Sequence, residues 1–246
     1  MADNAQSPGA DESLHYLRKS RSLSHSIVCI LPLLVLYQVG IVQGGYPQHS
    51  LIEQWITGWL LGLGLPASHV LNAALLIGLI AALWRTEHNG RFSIHVALIV
   101  PFEGALLALA LYKGGTALTR ILMDHAVVFG AGLDAYAPYL LGLGASVYEE
   151  LLFRLLLLGG GGLALHKLFR WDMVPSYGLA LVLSSLLFSY VHHIGGEPFE
   201  TGVFVFRAIC GILLGGVFLA RGLGVAVWTH ALYNVMALYQ ASITAA

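Results

Sequence analysis

The sequence predicts an all-α fold: a polytopic transmembrane helix bundle of about seven spans plus one interfacial helix. Three observations carry that expectation. Of the 246 residues, 57% are apolar and only 10% are charged, whereas about a quarter of an average soluble domain is charged. The 12 Lys+Arg and 13 Asp+Glu leave a net charge of -1, so both signs are scarce. The apolar residues also gather in runs approaching the ~20 needed to cross roughly 30 Å of hydrocarbon. The shortage of cations argues against nucleic-acid binding, which needs a basic stripe to neutralise phosphates. The apolar content argues equally against a cytosolic enzyme and against a disordered chain.

Taken in order, residues 1–24 form a polar N-terminal tail, read as frayed to about Ser20. Its basic residues resemble the start of a signal peptide, but no convincing small-residue cleavage site follows. Ile27–Val42 is therefore expected to stay as the first span. Leu51–Gly64, with Trp55 and Trp59, reads as an interfacial helix whose indoles sit at headgroup level. The next spans are His69–Trp84 and Phe92–Leu111, and together these segments make up an N-terminal transmembrane region of residues 25–135. Pro101 removes a backbone donor from the third span and is expected to kink it. A catalytic core of residues 136–240 follows, with spans at Tyr136–Leu158, Val174–His192, Thr201–Ala220 and Leu223–Tyr239. The four glycines Gly159–Gly162 resist helix continuation and are expected to end the fourth span.

Lysine and arginine set the orientation. With alternating spans, Arg18, Lys19, Arg21, Arg85, Arg91, Lys167, Arg170 and Arg221 fall on one side, and only Lys113 and Arg120 on the other. This distribution predicts a cytoplasmic N-terminus. Cys29 and Cys210 both lie in apolar runs and suggest no disulfide framework. Gly40-x-x-x-Gly44 and Gly211-x-x-x-Gly215 suit close helix approach. The chain carries no P-loop or dinucleotide fingerprint.

The spans nevertheless contain Glu103, Glu149, Glu150, Arg154, His192, His193, Arg207 and His230. An ionisable group in hydrocarbon costs at least ~2.5–3.5 kcal/mol, so the bundle must hold a polar interior. Glu150 and Arg154 are four residues apart and share a helix face, where they neutralise each other. Glu149 points elsewhere, roughly with Phe153, and is left available as a general base. Phe188 and His192 are also one turn apart, as are His230 and Asn234. Three helices thus deliver a carboxylate, two imidazoles and a carboxamide. That set can activate water and stabilise an oxyanion, as amide hydrolysis requires. Glu103 is expected to pair with Arg207 or to line the access path.

The ordered trio Glu149-Glu150-x-x-x-Arg154, Phe188-x-x-x-His192 and His230-x-x-x-Asn234 resembles the CPBP (Abi) family. These are the CAAX-protease and bacteriocin-processing intramembrane proteases, which include the eukaryotic CAAX prenyl endopeptidase. The resemblance covers about Tyr136–Tyr239, and Arg221-Gly222 within Gly211–Gly224 is similar as well. It implies an intramembrane endopeptidase in which Glu149 and His192 activate water and His230 and Asn234 form the oxyanion hole. Glu150 and Arg154 support that machinery, and Phe188 lines or braces it.

Members of the family have also been described as metalloproteases, for which Glu149, His192 and His230 are the zinc-ligating candidates. His-Glu-x-x-His is absent, and the metal-free, glutamate-type mechanism, with no cofactor, is the favoured expectation. The partners implied are the lipid bilayer and a membrane-associated protein or peptide substrate, cut near its C-terminus or at a leader. Buried Glu and His would also suit a transporter or proton relay, and a non-catalytic immunity or scaffold protein is a third reading. No inverted repeat supports the transporter, and the scaffold does not require every motif residue to be present. Short loops suggest a prokaryotic inner membrane.

Overall fold

The computed structural model describes residues 16–44, 51–64, 74–75, 77–81, 83–84, 93–122, 137–194 and 198–244. Among them there is no strand. The helices are α1 (Leu23–Gly44), α2 (Leu51–Gly62), α3 (Ile94–Leu122), α4 (Ala137–Glu150), α5 (Gly161–Phe169), α6 (Met173–Ile194), α7 (Thr201–Arg221) and α8 (Leu223–Thr244). A π-helical stretch, Leu151–Gly160, joins α4 to α5 without a break. Among the described residues, five segments are long and apolar enough to cross a membrane: Leu23–Gly40, Ile94–Leu118, Pro138–Phe169, Met173–Ile194 and Thr201–Arg221. The chain is thus an integral membrane protein. Helix α8 has the length of a further span, but His230, Asn234 and Gln240 dilute its hydropathy. The span expected at His69–Trp84 is helical where described, and residues 69–73, 76 and 82 lie outside the described residues.

Helix α8 is the centre of the bundle. Its first half, Leu223 to Ala231, is buried on nearly every side. Gly104 allows α3 to come so close that a Cβ there would lie 2.6 Å from Trp228 Cβ. The Trp228 indole donates to the Cys29 carbonyl of α1 at 2.8 Å. Helices α6 and α7 form a tight antiparallel pair, in which Gly211 faces Ser185 and Gly215 faces Leu181. The second of the two small-residue motifs therefore packs as its spacing predicts.

Three expectations are corrected. The Gly159–Gly162 run does not end its helix: Gly160 and Gly161 are both right-handed helical, and the helix continues to Phe169. Packing overrides the roughly 1 kcal/mol that each helical glycine costs, because Tyr177 lies where a Gly162 side chain would be and Phe218 lies against Gly159. Glu103 pairs with Arg221 rather than Arg207, in a two-point contact of Arg221 Nε and Nη2 with the two carboxylate oxygens. Arg221 stands at the end of α7, level with Glu103, so the pair closes across α3 and α7. Finally, residues 16–20 are helical and docked rather than frayed. Tyr16 donates to Glu103 Oε2 at 2.5 Å, and burial followed by that carboxylate pushes its phenol well above the ordinary tyrosine range. Arg21 reaches the Leu219 carbonyl at 2.9 Å. The α7–α8 turn beside them needs Gly222, whose φ of +91° is rare for a residue with a side chain.

Helix α2 forms where the interfacial helix was expected, and Trp59 and Leu61 on it are exposed. One residue breaks that amphipathic reading. Glu53 is fully buried and accepts a hydrogen bond from Tyr37. Tyr37 in turn stacks edge-on with Tyr148, at 5.9 Å between ring centroids.

Candidate active site

The site forms where α4, α6 and α8 meet. Glu149 and Glu150 close α4, at the point where the backbone widens from α to π geometry. Such π segments frequently accompany functional sites. Because consecutive residues diverge around a helix, the two carboxylates face different surroundings. Glu150 Oε2 lies 3.2 Å from Arg154 Nε in a fully buried pair. Its other oxygen is 2.8 Å from His230 Nδ1. Arg154 also donates to the Gly211 carbonyl at 3.4 Å and stands 4.5 Å from the centre of the Phe188 ring. Phe188 packs edge-on against Phe153, His192 and His230. The ring therefore braces three members of the site at once.

Glu149 has a different environment. Its Oε1 is 4.0 Å from His192 Nε2, and its Oε2 is 3.7 Å from His230 Nε2. Both separations exceed a direct hydrogen bond, and a water bonded to both atoms of either pair would lie beside the gap, roughly 2.8 Å from each. The other nitrogen of each ring is engaged. His192 Nδ1 lies 2.8 Å from the Phe188 carbonyl, one turn back on α6. A carbonyl only accepts, so Nδ1 carries the proton, and in the neutral ring the lone pair is on Nε2, facing Glu149. His230 Nδ1 is engaged in the same way by Glu150 Oε1, at 2.8 Å. Both imidazoles are oriented through Nδ1 and present Nε2 to one carboxylate.

Asn234 lies one turn beyond His230, and its amide donates to Ser146 Oγ at 3.0 Å. Ser146 donates onward to the Gly142 carbonyl at 2.8 Å. One of the two amide N–H bonds of Asn234 is thereby used and its plane is fixed. The structure thus gathers Glu149, Glu150, Arg154, Phe188, His192, His230 and Asn234 into one region. It adds Ser146, which sequence reasoning passed over. The available signal was a small polar residue one helical turn before Glu149 in an apolar run.

The donor set of Glu149, His192 and His230 is chemically that of a His₂Glu zinc site. Its spacing is a few tenths of an ångström wider than a bound metal would hold it, so Glu149, His192 and His230 are the residues that could hold one. Tetrahedral bonds of about 2.0–2.1 Å bring ligand atoms closer together than the 3.7 and 4.0 Å seen here.

Comparison with curated proteins and with solved structures gives no match. A family model does match: type II CAAX prenyl endopeptidase Rce1-like, over residues 132–236. The matched segment contains every residue of the three-helix cluster. The second half of this membrane protein is thus similar to the Rce1-like family of CAAX prenyl endopeptidases.

Proposed function

We propose that the chain is a glutamate-type intramembrane endopeptidase that cuts a membrane-associated protein or peptide by C-terminal or leader processing. The observation that carries this reading is the placement of Glu149, whose two oxygens face the Nε2 atoms of His192 and His230 across gaps of 4.0 and 3.7 Å. A water seated beside this pair, within roughly 2.8 Å of Glu149 Oε1 and His192 Nε2, has two acceptors before it. It donates one proton to the carboxylate and the other to Nε2, which turns an oxygen lone pair outward. Glu149 takes its proton as that oxygen attacks the peptide carbonyl carbon, and the carbonyl π electrons move onto oxygen. His230 and the remaining Asn234 N–H meet the developing negative oxygen, His230 donating from Nε2 as its imidazolium. Glu149 then returns the proton to the departing amine as the C–N bond breaks, leaving a carboxylic acid and an amine. Glu150, Arg154 and Phe188 act through the groups they hold. No cofactor takes part in these steps.

We place the protein in a prokaryotic plasma membrane, on its short loops, with its N-terminus in the cytoplasm, on the distribution of basic residues. The test compares wild type with Glu149→Gln at equal membrane abundance, by mapping protein termini across membrane and secreted fractions of the host. New termini that require Glu149 are expected. A deep survey in which no terminus differs, while a phenotype still depends on the gene, would return the protein to the transport or scaffold readings.

A further inference from the structure

The bundle has two chemically distinct ends. Arg18, Lys19 and Arg21 precede α1, Lys167 and Arg170 close α5, and Arg221 closes α7. Contacts bring these together: Arg21 reaches Leu219, Gly159 touches Phe218, and Gly162 touches Tyr177 at the start of α6. Helices α1, α3 and α8 all begin at this basic end. Ser26 of α1 packs on Gly224, while Gly40 packs on Leu140. On α3, Glu103 binds Arg221, while Tyr112 reaches Gln240 near the far end of α8.

The helices do not all reach the opposite end equally. Helix α4 runs from Ala137 to the catalytic level at Glu149, and α8 continues from His230 to Thr244; at 1.5 Å per residue these are about 18 and 21 Å. Helix α6 instead stops two residues after His192, at Ile194. Its partner α7 begins at Thr201, just beyond Phe204, whose carbonyl accepts from Ser189 at 2.7 Å. The α6–α7 pair therefore ends at the level of the catalytic residues, and the walls made by α4 and α8 rise past it. Burial follows the same step. Residues 146–150 of α4 and 229–231 of α8 are buried, whereas 138–143 and 232–238 are half-buried. Within the site, side-chain exposure climbs from 0% at Glu150 and 6% at His230 to 12% at Glu149 and 23% at His192. The edge of the low side carries exposed apolar side chains, Tyr190, Ile194 and Phe199.

We infer that the catalytic residues are reached from the end opposite the basic cluster, laterally over the α6–α7 pair, and that the substrate is a membrane-anchored polypeptide whose scissile bond lies at the non-cytoplasmic end of its anchor. The inference rests on the protease reading for its substrate and on the positive-inside rule for the naming of the two faces. The apolar rim suits a chain arriving from lipid, and the step in helix length gives its polar flank a way down to Glu149.

The test needs no substrate. Single cysteines are introduced at His192 and, as a marker of the basic end, at Arg170, with buried Cys29 and Cys210 as the wild-type background. A membrane-impermeant maleimide is applied to intact spheroplasts and to inverted vesicles of a bacterial expression host. His192→Cys is expected to label in spheroplasts and lose labelling in inverted vesicles, and Arg170→Cys to do the reverse. Phe199→Cys, on the exposed rim, serves should the His192 variant fail to fold. Labelling of His192→Cys or Phe199→Cys from the same side as Arg170→Cys overturns the inference, as does labelling of Arg170→Cys in spheroplasts. Because accessibility is read without turnover, loss of the protease reading would show separately, as termini that do not depend on Glu149.

Discussion

Two carboxylates in this bundle, Glu103 and Glu149, differ in what surrounds them. At the basic end, both oxygens of Glu103 are taken by Arg221, and Tyr16 adds a third donor. Three donors thus hold the carboxylate directly. At the catalytic level, both Glu149 oxygens face imidazole nitrogens that stand 3.7 and 4.0 Å away. Glu149 sits in a cluster whose other members are each anchored through one group, by Glu150, Phe188 and Ser146. A closed ion pair ties helices together, whereas an open one can hold and split a water molecule. Under the proposed mechanism, hydrogen-bond geometry, more than the presence of buried charge, separates a structural carboxylate from a reactive one.

Substitution puts this contrast at risk. Glu149→Gln should lower cleavage by about 10²–10⁴-fold, the usual worth of a general base, as read from the intact-to-truncated ratio of a tagged substrate. Arg154→Leu should act on the fold itself. It strands Glu150 in a fully buried position, and losing one partner of such a pair costs about 3–5 kcal/mol, measurable as a lower midpoint of unfolding in detergent. Glu103→Gln should cost about 1–3 kcal/mol of stability through the weakened charged hydrogen bonds and leave the cleavage rate per folded molecule unchanged. Ser146→Ala should produce the smallest effect, about 1 kcal/mol or some fivefold in rate, because it frees the Asn234 amide from its fixed plane without removing it. If Ser146→Ala changed stability alone, Asn234 would owe its orientation to something else.

Much of this site was legible in the sequence because it rests on i, i+4 spacing. Glu150 with Arg154, Phe188 with His192 and His230 with Asn234 each share a helix face, as the spacing requires. Helices on successive spans then had few ways to keep those charges out of lipid except by turning them toward one another. What the sequence concealed depends on contacts between distant residues. Glu103 lies 118 positions from Arg221, and no local pattern distinguishes that partner from Arg207. Glu53 sits on a helix whose Trp59 and Leu61 are exposed, so its burial against Tyr37 is visible only once α1 and α2 are placed together. The continuous helix through Gly159–Gly162 was hidden for a related reason. Local propensity argues against it, and the packing of Tyr177 and Phe218 that compensates comes from α6 and α7.

The short reach of α6 and α7 could not be read from hydropathy, since both segments have ordinary span lengths of 22 and 21 residues. Their register against α4 and α8, fixed by the contacts of Phe188, His192 and Ser189, creates the step.

The most direct test of the central claim is the unfolding midpoint and the truncation ratio of Glu149→Gln measured on the same preparation, beside Glu103→Gln. The account predicts opposite outcomes. Glu149→Gln should keep the wild-type midpoint and lose cleavage, while Glu103→Gln should lose stability and keep cleavage in the fraction that remains folded. A Glu149→Gln protein that still cleaves at the wild-type rate, or one whose loss of cleavage follows entirely from unfolding, would contradict it.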